Sequence, residues 1–319
     1  MFGMVLKFQA FMERLKKNKG MWFTTLTTVA ILGIIGTLYY LNSMTTRAAK
    51  NLYEGTNASY FYDLDSKIND STQKLEASAA LLVANQAFTA ALGNAATANA
   101  QLKKVGEDLS KISKSPVVAE FYTKNLVKVA SSADNAVLNG QPYDYSKGLQ
   151  KALTSNQPVS GLEYQDGQVF IRVLYPTANG ILEIKKSTDF LVDVYSANEK
   201  IFQVLLDKDL LDMRKVQEYK NQKIGKSFIS VQSKTDAYFL DKLSNIDIDK
   251  TITDKYTLTD EYFVLAKPIL DPNGKRLGVV VIGEQILKEN GLPKMVKSIS
   301  NGLTTAALGL VVALLMLMV

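Results

Sequence analysis

The sequence of 319 residues contains neither cysteine nor histidine. Without these residues the chain cannot form a zinc finger, a thiol redox centre, a Ser-His-Asp triad or a histidine-ligated metal site, and it has no histidine to phosphorylate. It also lacks an Asp-x-Asp-x-Asp-Gly calcium loop, a P-loop and a Gly-x-Gly-x-x-Gly turn. We therefore expect no enzymatic activity, no cofactor and no metal site.

The charge of the chain is nearly balanced outside one short segment. The formal net charge is +6. Residues 1–44 contribute four of these positive charges, from Lys7, Arg14, Lys16, Lys17 and Lys19 against Glu13 alone. Residues 45–297 contribute only two. Because nucleic-acid binding requires a basic patch, this distribution predicts no nucleic-acid partner.

Two long segments carry no charged residue, residues 20–46 and residues 298–319. A membrane-spanning helix needs ~20 such residues, so we predict transmembrane helices over residues 20–44 and 303–319. A cleaved signal peptide is the alternative for the first segment, but its apolar part is unusually long and 19 residues precede it. A buried core helix is the alternative for the second, but no polar face interrupts Leu303 to Val319.

The basic segment over residues 1–19 lies directly before the first predicted span. Basic residues accumulate on the cytoplasmic side, so the N-terminus is expected in the cytoplasm. Residues 45–297 are then periplasmic or extracellular, outside the cytoplasmic (inner) membrane. No basic residue follows the second span to anchor it. We therefore expect a cytoplasmic signalling module to be encoded beyond Val319.

A long helix is predicted to continue outward from the first span, since no proline occurs between Thr45 and Asn94. Phe61, Ile68, Leu75 and Leu82 recur every seven residues and draw an apolar seam along it. This seam could join two copies in a homodimer or pack against the chain's own sheet. The small residues of Ala90–Ala100 indicate a turn or a loosely packed helix, and two further helices are predicted over Leu102–Ile112 and Val117–Val129.

The pattern changes at Val159 to short apolar runs bounded by turn residues. The turns Asp166-Gly167 and Asn179-Gly180 separate three predicted strands, and Asp271-Pro272-Asn273-Gly274 connects a hairpin near the end. Short antiparallel strands with separate helices indicate an α+β fold. The predicted strands are Gly161–Tyr164, Gln168–Tyr175, Gly180–Lys185, Lys200–Leu206, Tyr256–Leu258, Glu261–Leu270 and Lys275–Gly283, with helices over Ser187–Ser196 and Leu210–Tyr219.

The region between the two predicted spans begins with helices and ends with the stretch TDEYFVLAKPILDPNGKRLGVVVIGEQI. This arrangement resembles the extracytoplasmic Cache sensor of bacterial chemoreceptors and sensor kinases. The stretch GLEYQDGQVFIRVLYPTANGILEIKKSTDFL is similar to the end of another Cache module. The resemblance thus implies a long N-terminal helix that leads to one or two PAS-like antiparallel-sheet modules. Two such endings would make this a double Cache domain. The Tyr-x-Arg-x-Trp signature of amino-acid-binding members is missing, because Trp22 is the only tryptophan.

The predicted organisation follows from these segments. It comprises a cytoplasmic segment (1–19), a first span (20–44), the long helix and helical part of the sensor (45–158), a membrane-distal sheet module (159–197), a membrane-proximal PAS-like module (198–290), a connector (291–302) and a second span (303–319).

Arg172 is the leading candidate for ligand binding, because it lies within the apolar strand Val-Phe-Ile-Arg-Val-Leu-Tyr. A guanidinium group away from bulk water requires a partner, and a carboxylate can meet it with two hydrogen bonds. That carboxylate could belong to a ligand such as an organic acid, or to Glu163, Glu183 or Asp189 of the chain. The other candidate ligand contacts are Tyr164, Tyr175 and Asp189 in the first module and Tyr238, Tyr256, Tyr262 and Lys267 in the second.

The resemblance implies the input region of a transmembrane chemoreceptor that binds a small molecule and signals through the second span. The sensor region of a histidine kinase or a nucleotide cyclase is an alternative. A two-span structural protein, such as a polysaccharide chain-length regulator, is another, although such proteins usually have a proline-rich stretch before the second span and this chain has only Pro293 there.

Overall fold

The computed structural model describes residues 13, 19–134, 136, 138, 147–165, 168–210, 223–225, 227–230, 232, 234–286 and 292–318. The chain divides into two compact units, residues 1–55 with 287–319 and residues 56–286. The helices within the described residues are α1 (Lys19–Ala84), α2 (Gln86–Ala91), α3 (Ala95–Ser113), α4 (Lys147–Ser155), α5 (Phe190–Ser196), α6 (Ala237–Leu243), α7 (Ile248–Asp254) and α8 (Leu292–Met318). The strands are β1 (Val117–Thr123), β2 (Lys128–Ser131), β3 (Val159–Gln165), β4 (Gln168–Thr177), β5 (Gly180–Ser187), β6 (Ile201–Asp207), β7 (Lys223–Ile224), β8 (Phe228–Ser230), β9 (Thr257–Leu258), β10 (Tyr262–Leu270) and β11 (Arg276–Gln285).

The first sheet has five antiparallel strands in the order β2-β1-β5-β4-β3. The three strands predicted between residues 161 and 185 are confirmed as β3, β4 and β5, each somewhat longer than predicted. The predicted turn at Asn179-Gly180 connects β4 to β5. Gly180 has a φ of +157°, and a Cβ atom there would overlap the carbonyl oxygen of Tyr122 on β1. The turn therefore requires glycine for both conformation and space.

The helix predicted over Val117–Val129 is wrong, because this segment forms β1 and β2. Helix α3 ends at Lys114, which has the left-handed φ of 50° that terminates many helices. The following residues, VVAEFYT, are largely β-branched or aromatic and suit a strand. Strand β1 then pairs with β5 along its whole length, from Val117 opposite Lys186 to Thr123 opposite Gly180.

One face of the first sheet packs against α1, α2 and α3. The side chains of Leu75, Leu102, Phe121 and Ile171 are buried in this core. Asparagine side chains cap the two shorter helices, with Asn85 accepting from the N–H of Phe88 and Asn94 from that of Ala96. The fold therefore places three helices on one face, while α4 packs on the other face, where Leu149 and Ala152 are buried with Leu174 and Ile181.

The apolar seam of α1 packs against the chain's own sheets. Phe61, Leu64 and Leu75 are buried, while Ile68 and Leu82 are partly buried against the core of the first sheet. Of the two alternatives for this seam, internal packing is the one observed within residues 56–286. A homodimer that uses α1 would have to use another face of this helix.

The second sheet has six strands in the order β7-β8-β6-β11-β10-β9. The predicted hairpin of β10 and β11 is confirmed, and Asp271 organises its turn by accepting from the N–H groups of Asn273 and Lys275, both at 2.8 Å. The predicted strands at β6 and β9 and the helix α5 are also confirmed. Strands β7 and β8 and helices α6 and α7 were not predicted from the sequence.

The second sheet is covered on both faces. Helices α6 and α7 pack on one face, where Phe239, Leu243, Tyr262 and Val264 are buried. On the other face, Lys267 of β10 forms an ion pair with Asp65 of α1 at 2.5 Å. The turn predicted at Asp166-Gly167 and the helix predicted over Leu210–Tyr219, beyond Leu210, lie outside the described residues.

In the unit formed by residues 1–55 and 287–319, α1 and α8 enclose a cleft of about 230 Å³. Small and apolar residues line it, including Ala48, Ala49 and Val296. None of the helices, over the residues that are described, combines the length and the apolar character needed to cross a membrane. The two spans expected over residues 20–44 and 303–319 therefore stay predictions.

Candidate functional site

Arg172 lies in β4 and is 2% exposed. Strand alternation places it with Leu174 on the face of the first sheet that points away from α1, α2 and α3. Its Nε donates to Oε1 of Glu183 at 2.5 Å, and its Nη1 pairs with the carboxylate of Glu163. The two glutamates belong to β5 and β3, the strands on either side of β4. Arg172 is thus held between two carboxylates of its own chain.

Glu120 of β1 forms the centre of a second cluster on the same face. Lys185 Nζ lies 2.8 Å from its Oε2 and Lys128 Nζ lies 3.0 Å from its Oε1. The hydroxyl group of Tyr122 donates to Oε2 at 2.8 Å, and that of Ser131 donates to Oε1 at 3.2 Å. One carboxylate is therefore held between two ammonium groups and two hydroxyl groups.

These six ionisable side chains, Glu120, Lys128, Glu163, Arg172, Glu183 and Lys185, form what we call the charged face. All of them are buried, and the three acids balance the three bases. Burying an ion pair costs desolvation that the mutual attraction often does not recover, so apolar residues of similar size would stabilise the sheet at least as well. A cluster of this kind is therefore more typical of a functional site than of a purely structural one.

The charges of this face fix one another's protonation. Burial alone would raise the pKa of the Glu120 carboxyl group, but Lys185 and Lys128 outweigh burial and hold this pKa well below its ordinary 4.5. Burial lowers the pKa of Arg172, yet Glu183 and Glu163 more than offset it and raise the pKa overall. Burial, Glu183 and Glu120 together raise the pKa of Tyr122 well above its ordinary value. At neutral pH Glu120 is therefore ionised and Tyr122 keeps its proton.

The charged face is polarised although it is neutral overall. Arg172 with Glu163 and Glu183 forms an acid-rich half with one excess negative charge. Glu120 with Lys128 and Lys185 forms a base-rich half with one excess positive charge. The two halves are neighbours, because Glu183 and Lys185 are alternate residues of β5, and such positions lie ~7 Å apart on one face of a strand.

The acid-rich half contains a carboxylate oxygen with unused hydrogen-bonding capacity. Glu183 is 0% exposed, and its Oε2 accepts no hydrogen bond in the part of the chain that the structure describes. A buried acceptor without a donor is unfavourable by about 1–3 kcal/mol. A donor brought by a ligand would remove this cost, which makes Glu183 Oε2 the most direct indication of a binding position.

The other first-module candidates do not surround Arg172. Tyr164 is buried in β3, where alternation turns it to the face opposite Glu163. Tyr175 packs against the core shared with α1 and α3, on the other face of the sheet. Asp189 precedes α5 and makes no side-chain cap to this helix.

The second-module candidates do not form one site either. Tyr238 is 56% exposed and donates to Glu261 at 2.6 Å. Tyr262 is buried and packs edge-on against Phe239, with ring centroids 5.0 Å apart. Tyr256 lies against Phe263 and Lys267 pairs with Asp65, both on the opposite face of β10 from Tyr262. These four side chains serve separate local contacts.

Sequence reasoning missed Glu120, Lys128 and Lys185. The first two lie in the segment that was predicted as a helix, so their strand neighbours were not considered. A signal was present, since Glu120 interrupts the apolar run VVAEFYT in the same way that Arg172 interrupts VFIRVLY. Oppositely charged residues inside apolar strands are expected to meet across a sheet.

The charged face can bind and orient a polar molecule, and the groups that carry its chemistry are carboxylate, ammonium, guanidinium and phenol. Among the residues with described positions, no group of three or more acidic side chains could hold a metal ion.

No protein-family model matches the chain, and no curated protein sequence matches it. Solved structures that are similar to it include the extracellular domain of vpHK1S-Z8, at 15% identity and a TM-score of 0.46, covering 77% of this chain and 95% of that one. The sensor domain of the V. cholerae histidine kinase DctB has 14% identity and a TM-score of 0.40, covering 74% and 99%. The ligand-binding domain of the Pseudomonas aeruginosa PAO1 amino acid chemoreceptor PctC, in complex with GABA, has 12% identity and a TM-score of 0.38, covering 78% and 99%.

These solved structures are sensor or ligand-binding domains, the class of protein that the sequence resemblance named. With TM-scores below 0.5, the similarities by themselves assign neither the fold nor the function of this chain.

Proposed function

We propose that the chain is the ligand-sensing input region of a transmembrane receptor of the chemoreceptor class, and that the charged face of its first sheet binds a small molecule. The observation that carries this proposal is the buried Oε2 of Glu183, which has no hydrogen-bond donor among the described residues and lies beside a second cluster of opposite excess charge. In this proposal the ligand is bound and released unchanged.

The charges favour a zwitterion over the organic acid that Arg172 alone suggested. The charge of Arg172 is already compensated by Glu163 and Glu183, so a ligand carboxylate would bring a further negative charge to a half that already has one in excess. The base-rich half suits a carboxylate and the acid-rich half an ammonium group. A molecule that carries both adds no net charge to a buried and already neutral site, whereas a simple anion or cation would.

Signalling requires that the ligand bind one conformation of the sensor more tightly than another. A zwitterion that enters the charged face must exchange with existing ion pairs, which span all five strands of the first sheet. Helix α1 contacts both sheets, through Leu75 on the first and through Tyr60 on the second, where the Tyr60 hydroxyl donates to Glu284 of β11 at 2.8 Å. We propose that this displacement reaches β11, the last strand before α8 in the chain.

The location and assembly form part of the same proposal. Residues 20–44 and 303–319 would anchor the receptor in the cytoplasmic membrane, with the sensor outside, and the basic residues 1–19 support this orientation. A homodimer would form through a face of α1 other than its seam. Tyr62 and Leu81 are more than 70% exposed and would lie in such an interface.

The ligand class can be tested by calorimetric titration of the full chain with 4-aminobutyrate, butyrate and butylamine, extended to other α- and ω-amino acids. These three probes share a carbon chain and differ in charge. We expect at least one zwitterion to bind and the singly charged analogues to bind at least about tenfold more weakly. Binding of butyrate as tight as that of every zwitterion would contradict the proposed ligand class, and binding by none of the probes would contradict small-molecule sensing at this face.

A further inference from the structure

A cavity lies on the face of the first sheet that is opposite the charged face. It has a volume of about 760 Å³ and is bounded by α1, α3, α5, the start of β1 and the end of β5. Its walls are mostly apolar, with Leu75, Leu109 and Val117 among the lining residues. We call this cavity the lysine groove, after Lys67, Lys74 and Lys186, which also line it.

Lys186 has an unusual position for a lysine. It belongs to β5, the central strand of the sheet, and is only 8% exposed. Within the described residues, its ammonium group makes no hydrogen bond and no ion pair. Its Nζ lies 3.8 Å from the centroid of the ring of Phe190. A cation over a ring is stabilised much less than a cation paired with a carboxylate.

The acids near the lysine groove are already paired with other lysines. Lys74 pairs with Asp70 and Lys67 pairs with Asp63, each at 2.6 Å. Burial lowers the pKa of Lys186, Lys74 lowers it further, and Asp70 opposes these two effects only in part. The groove therefore carries one uncompensated positive charge, on the ammonium group of the largely buried Lys186.

We propose that the lysine groove binds a monocarboxylic acid with an apolar chain, whose carboxylate pairs with Lys186. The carboxylate supplies the anionic partner that this lysine lacks among the described residues. The apolar chain fills the space beside Leu75, Leu109 and Phe190, and removes apolar surface from water. This site is separate from the charged face, which lies across the sheet and is neutral overall.

The test is a calorimetric titration of the full chain with hexanoate, hexanamide and hexylamine, which share a six-carbon chain but differ in charge. We expect hexanoate to bind and the amide and the amine to bind at least about tenfold more weakly. Lys186→Met should weaken hexanoate binding by about tenfold or more, because it removes the cation and keeps the apolar stem. Lys104→Met changes an exposed lysine of α3 that does not line the groove, and should leave the affinity unchanged.

A second measurement does not depend on the folding of the methionine variant. Lysines of the wild-type chain can be labelled by reductive methylation with 13C-formaldehyde, and the Lys186 signal identified by its absence in Lys186→Arg. Hexanoate should shift this signal, while hexanamide should not. The proposal is overturned if hexanoate fails to bind, if Lys186→Met binds it as tightly as the wild type, or if the Lys186 signal is unmoved at saturating hexanoate.

Discussion

The two sheets of residues 56–286 are both built from antiparallel hairpins. They differ in the side chains on the face that points away from α1. The face of the first sheet that points away from α1 holds six buried ionisable side chains. The face of the second sheet that points away from α1 is filled by Phe239, Leu243 and Tyr262 beneath α6 and α7. The first sheet therefore buries charged groups beside the apolar cluster under α4, whereas the corresponding face of the second sheet is packed mainly with apolar side chains.

Gly283 illustrates how the second sheet closes this face. A Cβ atom at Gly283 of β11 would overlap the ring of Phe239, so the ring fills the space above the strand only because the residue is glycine. The most polar buried side chain there is Gln203, whose Nε2 donates to Ser230 at 2.8 Å. This contrast supports the proposal that the ligand site lies in the first sheet and that the second sheet has a mechanical role.

Removing one charge from the first sheet should have the largest effect. Glu120→Gln leaves Lys128 and Lys185 buried without their carboxylate, so we expect a loss of about 3–5 kcal/mol in the free energy of unfolding. Glu107→Gln, at an exposed position of α3, should cost no more than about 0.5 kcal/mol. Urea unfolding of the two full-length variants measures both values, and equal losses would contradict the role of Glu120.

The same carboxylate should make the fold sensitive to acid. Because the pKa of Glu120 is lower in the folded chain than its ordinary 4.5, its ion pairs contribute fully above this value. That contribution is lost as the pH falls below 4.5 and through the folded-state pKa. In urea unfolding at a series of pH values, the gap in stability between wild type and Glu120→Gln should narrow as the pH falls. If the difference in stability between the two chains stays constant down to pH ~2, the protonation of Glu120 does not control this part of the stability.

Overpacking the core of the second sheet should lower the free energy of unfolding by a smaller amount. Gly283→Ala forces the ring of Phe239 to shift, and overpacking of this kind costs about 1–3 kcal/mol. The double variant Gly283→Ala with Phe239→Leu should recover part of this loss, because the smaller side chain leaves room for the methyl group. Chemical denaturation of the single and double variants would detect the recovery, and strictly additive losses would show that the two residues do not interact.

A polar residue of the second sheet should be nearly dispensable. Gln203→Met exchanges a buried amide, whose Oε1 has no donor among the described residues, for an apolar chain of similar length. We expect a change within about 1 kcal/mol, far below that for Glu120→Gln. A loss of the size expected for Glu120 would remove the contrast between the sheets.

The smallest effect is expected for the ion pair between Lys267 and Asp65, since both side chains are about one third exposed or more. Pairs of this kind contribute up to about 1 kcal/mol and are screened by salt. Lys267→Met should therefore lower stability by about 1 kcal/mol at most, with the difference vanishing at high salt. A larger, salt-independent loss would mean that this contact supports α1 more strongly than its exposure suggests.

Much of the fold could be predicted from local sequence patterns. Turn residues and alternating apolar residues identified β3, β4, β5, β10 and β11, because hairpins are encoded by neighbouring residues. The error at Val117–Val129 arose because β1 pairs with β5, about 60 positions later, and no local pattern reveals that partner. The short elements β7, β8, α6 and α7 depend in the same way on packing against distant strands.

The site could be predicted only in part. Arg172 was identifiable as a charge inside an apolar strand, and Glu163 and Glu183 were foreseen as its alternatives to a ligand. The prediction of the second cluster required the correct strand order, because its members Glu120, Lys128 and Lys185 lie on β1, β2 and β5. The tyrosines chosen by proximity in sequence fell on other faces, because proximity along the chain does not determine the face of a sheet.

The central claim is that the charged face binds both the ammonium group and the carboxylate of a zwitterionic ligand. Measuring ligand analogues on one variant tests this claim most directly. The affinities of 4-aminobutyrate, or of the tightest zwitterion found, and of the amide that lacks its carboxylate are measured for wild type and for Lys128→Met. If Lys128 meets the carboxylate, the variant should lose about tenfold or more in affinity for the zwitterion and little for the amide. Equal losses for both ligands, or no loss for either, would contradict the account.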